Sequence, residues 1–522
     1  MKLLRTILVL AAAAMAMGHK FDVTPIVSLA IDPKSVPSTR GEVWDLLHSF
    51  LKFSGHTSES SVAKHSELFM NAMGAEDDRA LGVEGYARLL LGAAFRAGPV
   101  LPLDGPQQIH LALGDDQTSM VAMWVTYANY TPSYVRWGPE GSGEDAELAN
   151  SALAKTSTYT NGSWTGWRGT IYTAVMENLQ PGVEYTYIVG SDECGWSERF
   201  NFRAPPTSSV DQPVRLLTYG DQGSFMPFGF LVTAQILRDL KHTPADFVMH
   251  VGDISYATLH TSIPPIVASS DEWEPLWDVY MRQMEPIAAR MPYMVGVGNH
   301  ENPYNFTAYN HRFRMPAAPS GGNGNFWYSF DYGSVHITSM STEHDYSPGS
   351  PQWEWIRADL ARARSPERRG VTPWVFLGAH RPIYSSDTSE WDSHRPGAPL
   401  QTSLDPILRE FDVDLVLTGH MHCYERTHPV YNGTVMAMPT RDPATGDADV
   451  YQSPKAPLFL VQGMAGALIE ESWVSPAPSW AAVRHTVYGY SRIHVHNSTH
   501  LQYQFMATAD GGEPTDEFWI VK

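Results

Sequence analysis

Leu216-Leu217-Thr218-Tyr219-Gly220-Asp221-Gln222-Gly223 is the first of five places where a short apolar run ends at glycine and gives way to a metal-ligating residue type. The second is Val248-Met249-His250-Val251-Gly252-Asp253-Ile254-Ser255-Tyr256. Gly298-Asn299-His300-Glu301, Trp374-Val375-Phe376-Leu377-Gly378-Ala379-His380 and Gly419-His420-Met421-His422 complete the set. The apolar runs have the length of buried strands, and glycine lets the backbone turn sharply towards a ligand. Sheets present ligands just beyond the carboxyl ends of their strands. The pattern therefore predicts one cavity with two metals, which implies hydrolysis at phosphorus or a similar centre.

The surroundings of these stretches set the fold class. From Pro213 onward, buried strands at Arg215 to Tyr219, Phe247 to Val251, Tyr293 to Val297, Val335 to Met340, Trp374 to Leu377, Leu415 to Thr418 and Leu458 to Val461 alternate with helical segments. The helices are expected at Phe230 to Lys241, Pro275 to Ala289, Gln352 to Ala363 and Ser403 to Glu410. Such alternation predicts a layered α/β architecture with a mixed sheet core over residues 212–522. Upstream the period is two: Met120 to Tyr127, Thr170 to Met176 and Tyr185 to Val189 are rich in β-branched and aromatic residues. Leu179-Gln180-Pro181-Gly182-Val183-Glu184-Tyr185 reads as the turn into a tyrosine corner. Residues 104–205 are thus expected to form an all-β, fibronectin type III-like sandwich, closed by the linker at Arg203-Ala204-Pro205-Pro206. Residues 19–103 have helical periodicity and no ligand spacing.

Lys2 and Arg5 precede an apolar stretch from Ile7 to Met17 with small residues near its end, so residues 1–18 read as a secretory signal peptide. Sequons at Asn129, Asn161, Asn305, Asn432 and Asn497 would then be permitted sites of N-linked glycans. The chain of 522 residues is 43% hydrophobic and 18% charged, ordinary for a folded protein of two or three domains. Its net charge of −20 disfavours nucleic acid as a partner. No lipid-anchor signal or later membrane-length run is visible, so no stable membrane anchor is expected. A homodimer is left open. Cys194 and Cys423 are the only cysteines and are expected to be unpaired.

Taken singly, each ligand candidate has an ordinary structural explanation. A Gly-Asp pair is more often a turn, and a lone histidine at a strand end is more often a core residue. Together they make a complete donor set. Asp221 and Asp253 offer hard oxygens, and one carboxylate can bridge two cations. Tyr256 binds metal well only as a phenolate, which a highly charged cation can enforce. Asn299 adds a neutral carbonyl oxygen. His380, His420 and His422 add imidazoles, the last two on one side of an extended segment. His300 and Glu301 are better suited to orienting or acid–base work.

This combination resembles the metallophosphoesterases, and specifically the purple acid phosphatases. Most of that superfamily opens with Asp-x-His; here the stretch is Asp221-Gln222-Gly223, and Tyr256 looks like the purple-type substitute for the missing histidine. The likeness extends over residues 104–522 and includes Gln462-Gly463-Met464-Ala465-Gly466 and Tyr488-Gly489-Tyr490. It implies an α/β/β/α sandwich with mixed sheets. It also implies an Fe(III) site of Asp221, Asp253, Tyr256 and His422, and a divalent site (Fe, Zn or Mn) of Asp253, Asn299, His380 and His420, bridged by Asp253. His300 is the candidate proton donor and, with Asn299, a candidate substrate contact. Family members often carry further histidines after the His380 motif; between Ser385 and Arg395 the only one is His394, a third candidate substrate contact.

The expected function is hydrolysis of small phosphate monoesters by a secreted or vacuolar/lysosomal acid phosphatase, with a metal-bound hydroxide as nucleophile and a histidine as general acid. The alternatives are a phosphodiesterase or nucleotide hydrolase on the same di-metal core, and an inert adhesion or carrier protein acting through its sandwich. An iron pair could also generate reactive oxygen species as a secondary activity.

Overall fold

The computed structural model describes residues 105–141, 148–161, 166–224, 228–258, 274–441, 448–469, 472–508 and 512–522. The expected signal peptide and the helical segment 19–103 lie outside the described residues.

The first part is a two-sheet β-sandwich. One sheet orders Gln107–Leu113, Met120–Thr126, Thr170–Met176 and Lys155–Ser157; the other orders Asn150–Leu153, Tyr134–Pro139, Glu184–Ser191 and Gly195–Trp196, with Phe200–Arg203 also paired to Glu184–Ser191. Alternation places Tyr185, Tyr187 and Val189 in the core while Thr186 and Ile188 are half-buried. The tyrosine corner is present: the Gln180 amide donates to the Tyr185 hydroxyl at 2.9 Å. The helix Glu274–Ala288 packs on Gln107–Leu113, and one apolar core runs continuously from the sandwich into the rest of the chain.

The second part has two mixed sheets. The eight-stranded sheet runs Tyr293–Val295, Phe247–His250, Val214–Tyr219, Gly489–Val495, His500–Ala507, Asp516–Val521, Asp449–Gln452 and Thr440–Arg441. The seven-stranded sheet runs Tyr328–Tyr332, Val335–Ser339, Trp374–Gly378, Leu415–Thr418, Leu458–Gln462, Tyr424–Thr427 and Ala481–His485. Period two separates its faces. Trp374, Phe376, Leu415, Leu417, Leu458 and Leu460 join the core shared with the eight-stranded sheet. Val375, Leu377, Val416 and Phe459 instead meet Ile356 and Leu360 of helix Pro351–Ala363 and Leu404, Ile407 and Leu408 of helix Pro399–Glu410. Helices Phe228–Asp239 and Glu274–Ala288 contact each other and feed the shared core through Leu231, Val232, Ile236, Trp277 and Met281. The result is the expected α/β/β/α layering.

The helix expected to begin at Ser403 begins earlier, at Pro399, in the first helical turn, where proline's missing N–H leaves no hydrogen bond unmade. Both cysteines are free; Cys423 is buried and Cys194 half-buried.

Register decides where the ligand candidates fall. Tyr219 pairs with His250, and His250 with Val295, in parallel, so three strands end together at one edge. In the other sheet Gly378 pairs in parallel with Leu417, near the ends of both strands. The two edges are tied: the Gly220 amide donates to Gln462 O at 2.9 Å and the Thr218 hydroxyl to Gln462 Oε1 at 2.9 Å.

Candidate metal centre

The loops leaving these strand ends turn abruptly. Asp221, Asp253, Tyr256 and His420 all have φ between 50° and 68°, in the left-handed region that non-glycine residues seldom occupy. Such strain persists where the surroundings over-determine it, characteristically at functional sites. Glycine makes room for the turns. A Cβ on Gly298 would lie 2.2 Å from Asp253 Oδ1, and one on Gly419 would lie 2.3 Å from Asp221 Oδ2. Gly252, at φ 97°, would press on the His380 ring.

The structure brings the seven expected ligands together in two groups that meet at Asp253. In the first, the Tyr256 hydroxyl is 2.9 Å from Asp221 Oδ1, 2.8 Å from His422 Nε2 and 3.4 Å from Asp253 Oδ2. His422 Nδ1 lies 2.8 Å from Leu468 O, which can only accept, so Nδ1 carries a proton and Nε2 is the nitrogen turned inward. In the second, His380 Nδ1 is 3.0 Å from Val251 O, which puts a proton on Nδ1 in the same way. Its Nε2 then faces Asp253 Oδ2 at 3.2 Å and Asn299 Oδ1 at 3.1 Å. His420 joins this group, its ring centroid 5.1 Å from that of His380, and Asp253, His380 and His420 could share one ion.

The electrostatics suit cations. Asp221 and Asp253 are fully buried, and neither meets a Lys or Arg among the described residues. Burial opposes the charge of Asp221, yet the hydrogen bond with His422 and the nearby His380 hold it below the ordinary carboxylate range. Asp253 is held further down, against burial, by His380 and His300. Burial and both carboxylates push the Tyr256 phenol well up, so only a strongly charged cation would ionise it. At the second group the Asp253 carboxylate, the Asn299 amide oxygen and His380 Nε2 converge, and, against burial, Asp253 raises the His380 imidazole to about 10, so without a cation a proton on Nε2 lies among them. Acceptors in that arrangement repel unless a proton or a metal ion lies among them, and the donor set fits a metal.

Around the ligands, Glu301 accepts from the amides of Asp253, Ile254 and Gly298 at 2.8–2.9 Å, joining two ligand loops. Burial and Asp253 raise its carboxyl to about 8. The His300 ring lies against Tyr256, centroids 4.3 Å apart and tilted by 36°; its Nδ1 meets the Thr258 hydroxyl and its Nε2 lies 3.8 Å from Asp253 Oδ2. His394 is 2% exposed, with its ring 5.8 Å from that of His420. Arg381 and Glu390 also reach the site, with Glu390 Oε2 3.2 Å from His420 Nε2 and Arg381 Nη1 3.0 Å from the same atom. Neither has a role in the sequence pattern, although Arg381 directly follows a ligand and Glu390 stands one helical turn before His394.

The comparisons with known proteins agree with this architecture. Residues 106–204 match the purple acid phosphatase N-terminal domain, residues 215–424 the calcineurin-like phosphoesterase family and residues 456–517 the iron/zinc purple acid phosphatase-like protein C family. The chain is 32% identical over 453 residues to human acid phosphatase type 7, covering 84% of this chain and 96% of that protein. It is 29% identical over 448 residues to an Arabidopsis thaliana protein named probable inactive purple acid phosphatase 27, covering 78% and 68%. The solved purple acid phosphatase from yellow lupin (Lupinus luteus) seeds superposes with a TM-score of 0.68 at 25% identity, covering 80% of this chain and 74% of that one. With its sandwich, its layered phosphoesterase fold and its acceptor-lined centre, the chain belongs to the purple acid phosphatase family of di-metal phosphoesterases.

Proposed function

We propose that this protein is a secreted acid phosphatase that hydrolyses small phosphate monoesters at an Fe(III)–divalent metal centre. The observation that carries the reading is the convergence of Asp253 Oδ2, Asn299 Oδ1 and His380 Nε2 within 3.1–3.2 Å, beside the Asp221–Tyr256–His422 group. Asp221, Asp253, Tyr256 and His422 would hold Fe(III); Asp253, Asn299, His380 and His420 would hold Fe, Zn or Mn. When bound, two such cations supply a clamp on phosphate oxygens and an acidified water. The protein's own groups do the rest. Asp253 joins the two halves, and its backbone neighbours are fixed by Glu301. His300, whose Nε2 lies 3.8 Å from Asp253 Oδ2, would hand a proton to the departing alcohol. His394, buried beside His420, is the further candidate contact for a substrate phosphate.

Domains at 104–205 and 212–522 belong to the same proposal, as do the signal peptide at 1–18 and the segment 19–103. The five sequon asparagines Asn129, Asn161, Asn305, Asn432 and Asn497 are all exposed, which supports passage through the secretory route. No helix among the described residues is long and apolar enough to cross a membrane.

Initial rates on p-nitrophenyl phosphate and its bis-ester at acidic pH test the substrate class. Faster monoester cleavage is expected; faster diester cleavage would make the protein a phosphodiesterase. Protein that takes up no metal under any loading condition would be the inert carrier instead.

A further inference from the structure

Glu390 stands immediately before the short turn Trp391–Ser393, outside the expected ligand set, yet its Oε2 touches two imidazoles of the site. That oxygen lies 3.2 Å from His420 Nε2 and 3.3 Å from His394 Nε2. The turn is held in place. Glu425, fully buried, accepts from the Ser386 amide at 2.7 Å and from the Ser386 and Ser385 hydroxyls at 2.6 and 3.1 Å. The Ser385 amide then donates to His394 O at 3.0 Å, closing the loop on itself.

The proton arrangement on His420 follows from its neighbours. Nε2 faces both Glu390 and Arg381, and a guanidinium can only donate. If Nε2 accepted from Arg381, its lone pair would oppose the carboxylate and the proton would sit on Nδ1, leaving no nitrogen for a cation. If Nδ1 serves the cation, the proton sits on Nε2 and Glu390 is its acceptor. Arg381 is then the counter-charge of that carboxylate, with Nη1 3.6 Å from Oε2, while Glu343 grips its other edge at 2.9 and 3.2 Å. His394 also faces Glu390, but differently: its Nδ1 donates to Pro382 O at 2.6 Å, and its buried Nε2 lies 3.3 Å from Glu390 Oε2.

We propose that Glu390 is a positioning residue of the divalent site: it accepts the Nε2 proton of His420 and fixes the tautomer whose Nδ1 faces the metal. A carboxylate behind a metal-binding imidazole orients the ring and raises its basicity. This inference rests on the di-metal reading above.

Metal-stripped full-length protein, Glu390→Ala, Glu390→Gln and Asp392→Ala are titrated with Zn(II) against a chelating dye. Asp392 is an exposed residue of the same turn. Glu390→Ala should weaken one of two zinc sites by roughly 10–100-fold and leave the other unchanged. Glu390→Gln, whose amide oxygen still accepts, should fall between it and wild type, and Asp392→Ala should match wild type. Thermal unfolding of the stripped proteins should not separate the variants, so a merely structural effect is distinguishable. Wild-type zinc affinities at both sites in Glu390→Ala, or in Glu390→Gln should the alanine variant not fold, overturn the inference. Wild-type protein with fewer than two sites overturns the di-metal reading itself, and this inference with it.

Discussion

At the scale of the residue, Tyr256 separates a purple phosphatase from a generic di-metal hydrolase. The protein's own field keeps the phenol protonated, so a phenolate there reports a strongly charged cation. Iron-loaded protein is expected to be violet, and Tyr256→Phe should abolish the visible charge-transfer band; an active, iron-free, colourless wild type would remove the iron assignment. Asp253 carries a different load because it faces both groups of ligands. Asp253→Asn should therefore lower the stoichiometry of both metals, measured by elemental analysis, rather than of one. The residue types were readable from the sequence, since Asp, Tyr, Asn and His after glycine have few other reasons to recur in that order. The roles of Arg381 and Glu390 were not, because only the folded loops bring them to His420.

At the scale of the element, the site depends on backbone turns with no room for side chains. Gly298 needs no unusual φ, but the Asp253 carboxylate occupies the place of its Cβ. Gly298→Ala should displace Asp253 and cost on the order of 10-fold or more in metal affinity, by the sensitivity of ligand-positioning groups, while far-UV circular dichroism stays unchanged. Retained wild-type metal affinity would show that the loop yields easily. Strands Val214–Tyr219, Trp374–Gly378 and Leu415–Thr418 lie within a residue of where their apolar runs placed them, because buried parallel strands are continuous in hydrophobicity. The carboxyl-terminal strands Gly489–Val495, His500–Ala507 and Asp516–Val521 escaped notice. They alternate buried and half-buried residues, with polar Gln502 and Gln504 bonded to Glu517 across two of them, so only the short run Phe518-Trp519-Ile520-Val521 has the apolar look of a buried strand.

At the scale of the whole molecule, the sandwich is fastened to the phosphoesterase part by a buried charge network. Arg312, 2% exposed, meets Asp278 at 3.0 Å, Glu274 at 3.4 Å, the Tyr159 hydroxyl at 2.7 Å and Gln108 Oε1 at 3.1 Å. Removing one partner of a buried pair leaves uncompensated charge, so Arg312→Ala should lose about 3–5 kcal/mol, read from chemical denaturation. His110 lies beside it, its two ring nitrogens 2.9 Å from Gln108 O and Arg312 O. Burial lowers its pKa to about 4, with Arg312 acting in the same direction. The unfolded chain binds this proton first, near its ordinary 6.5. The stability due to His110 is therefore complete above that pH and is lost as pH falls towards 4. His110→Gln should show a shallower fall in Tm between pH 7 and 4.5 than wild type; parallel curves would contradict it. The order and type of ligands, the strand–helix alternation and the period-two sandwich were determined by the sequence alone, because each is a local pattern of polarity and turn chemistry. The parallel register that gathers three strand ends at one edge, the Nδ1 protons of His380 and His422, and the convergence of Glu390, Arg381 and Arg312 on their partners were decided only by the tertiary structure. Those contacts join residues far apart in the chain, and hydrogen-bond direction exists only once a specific acceptor is in place.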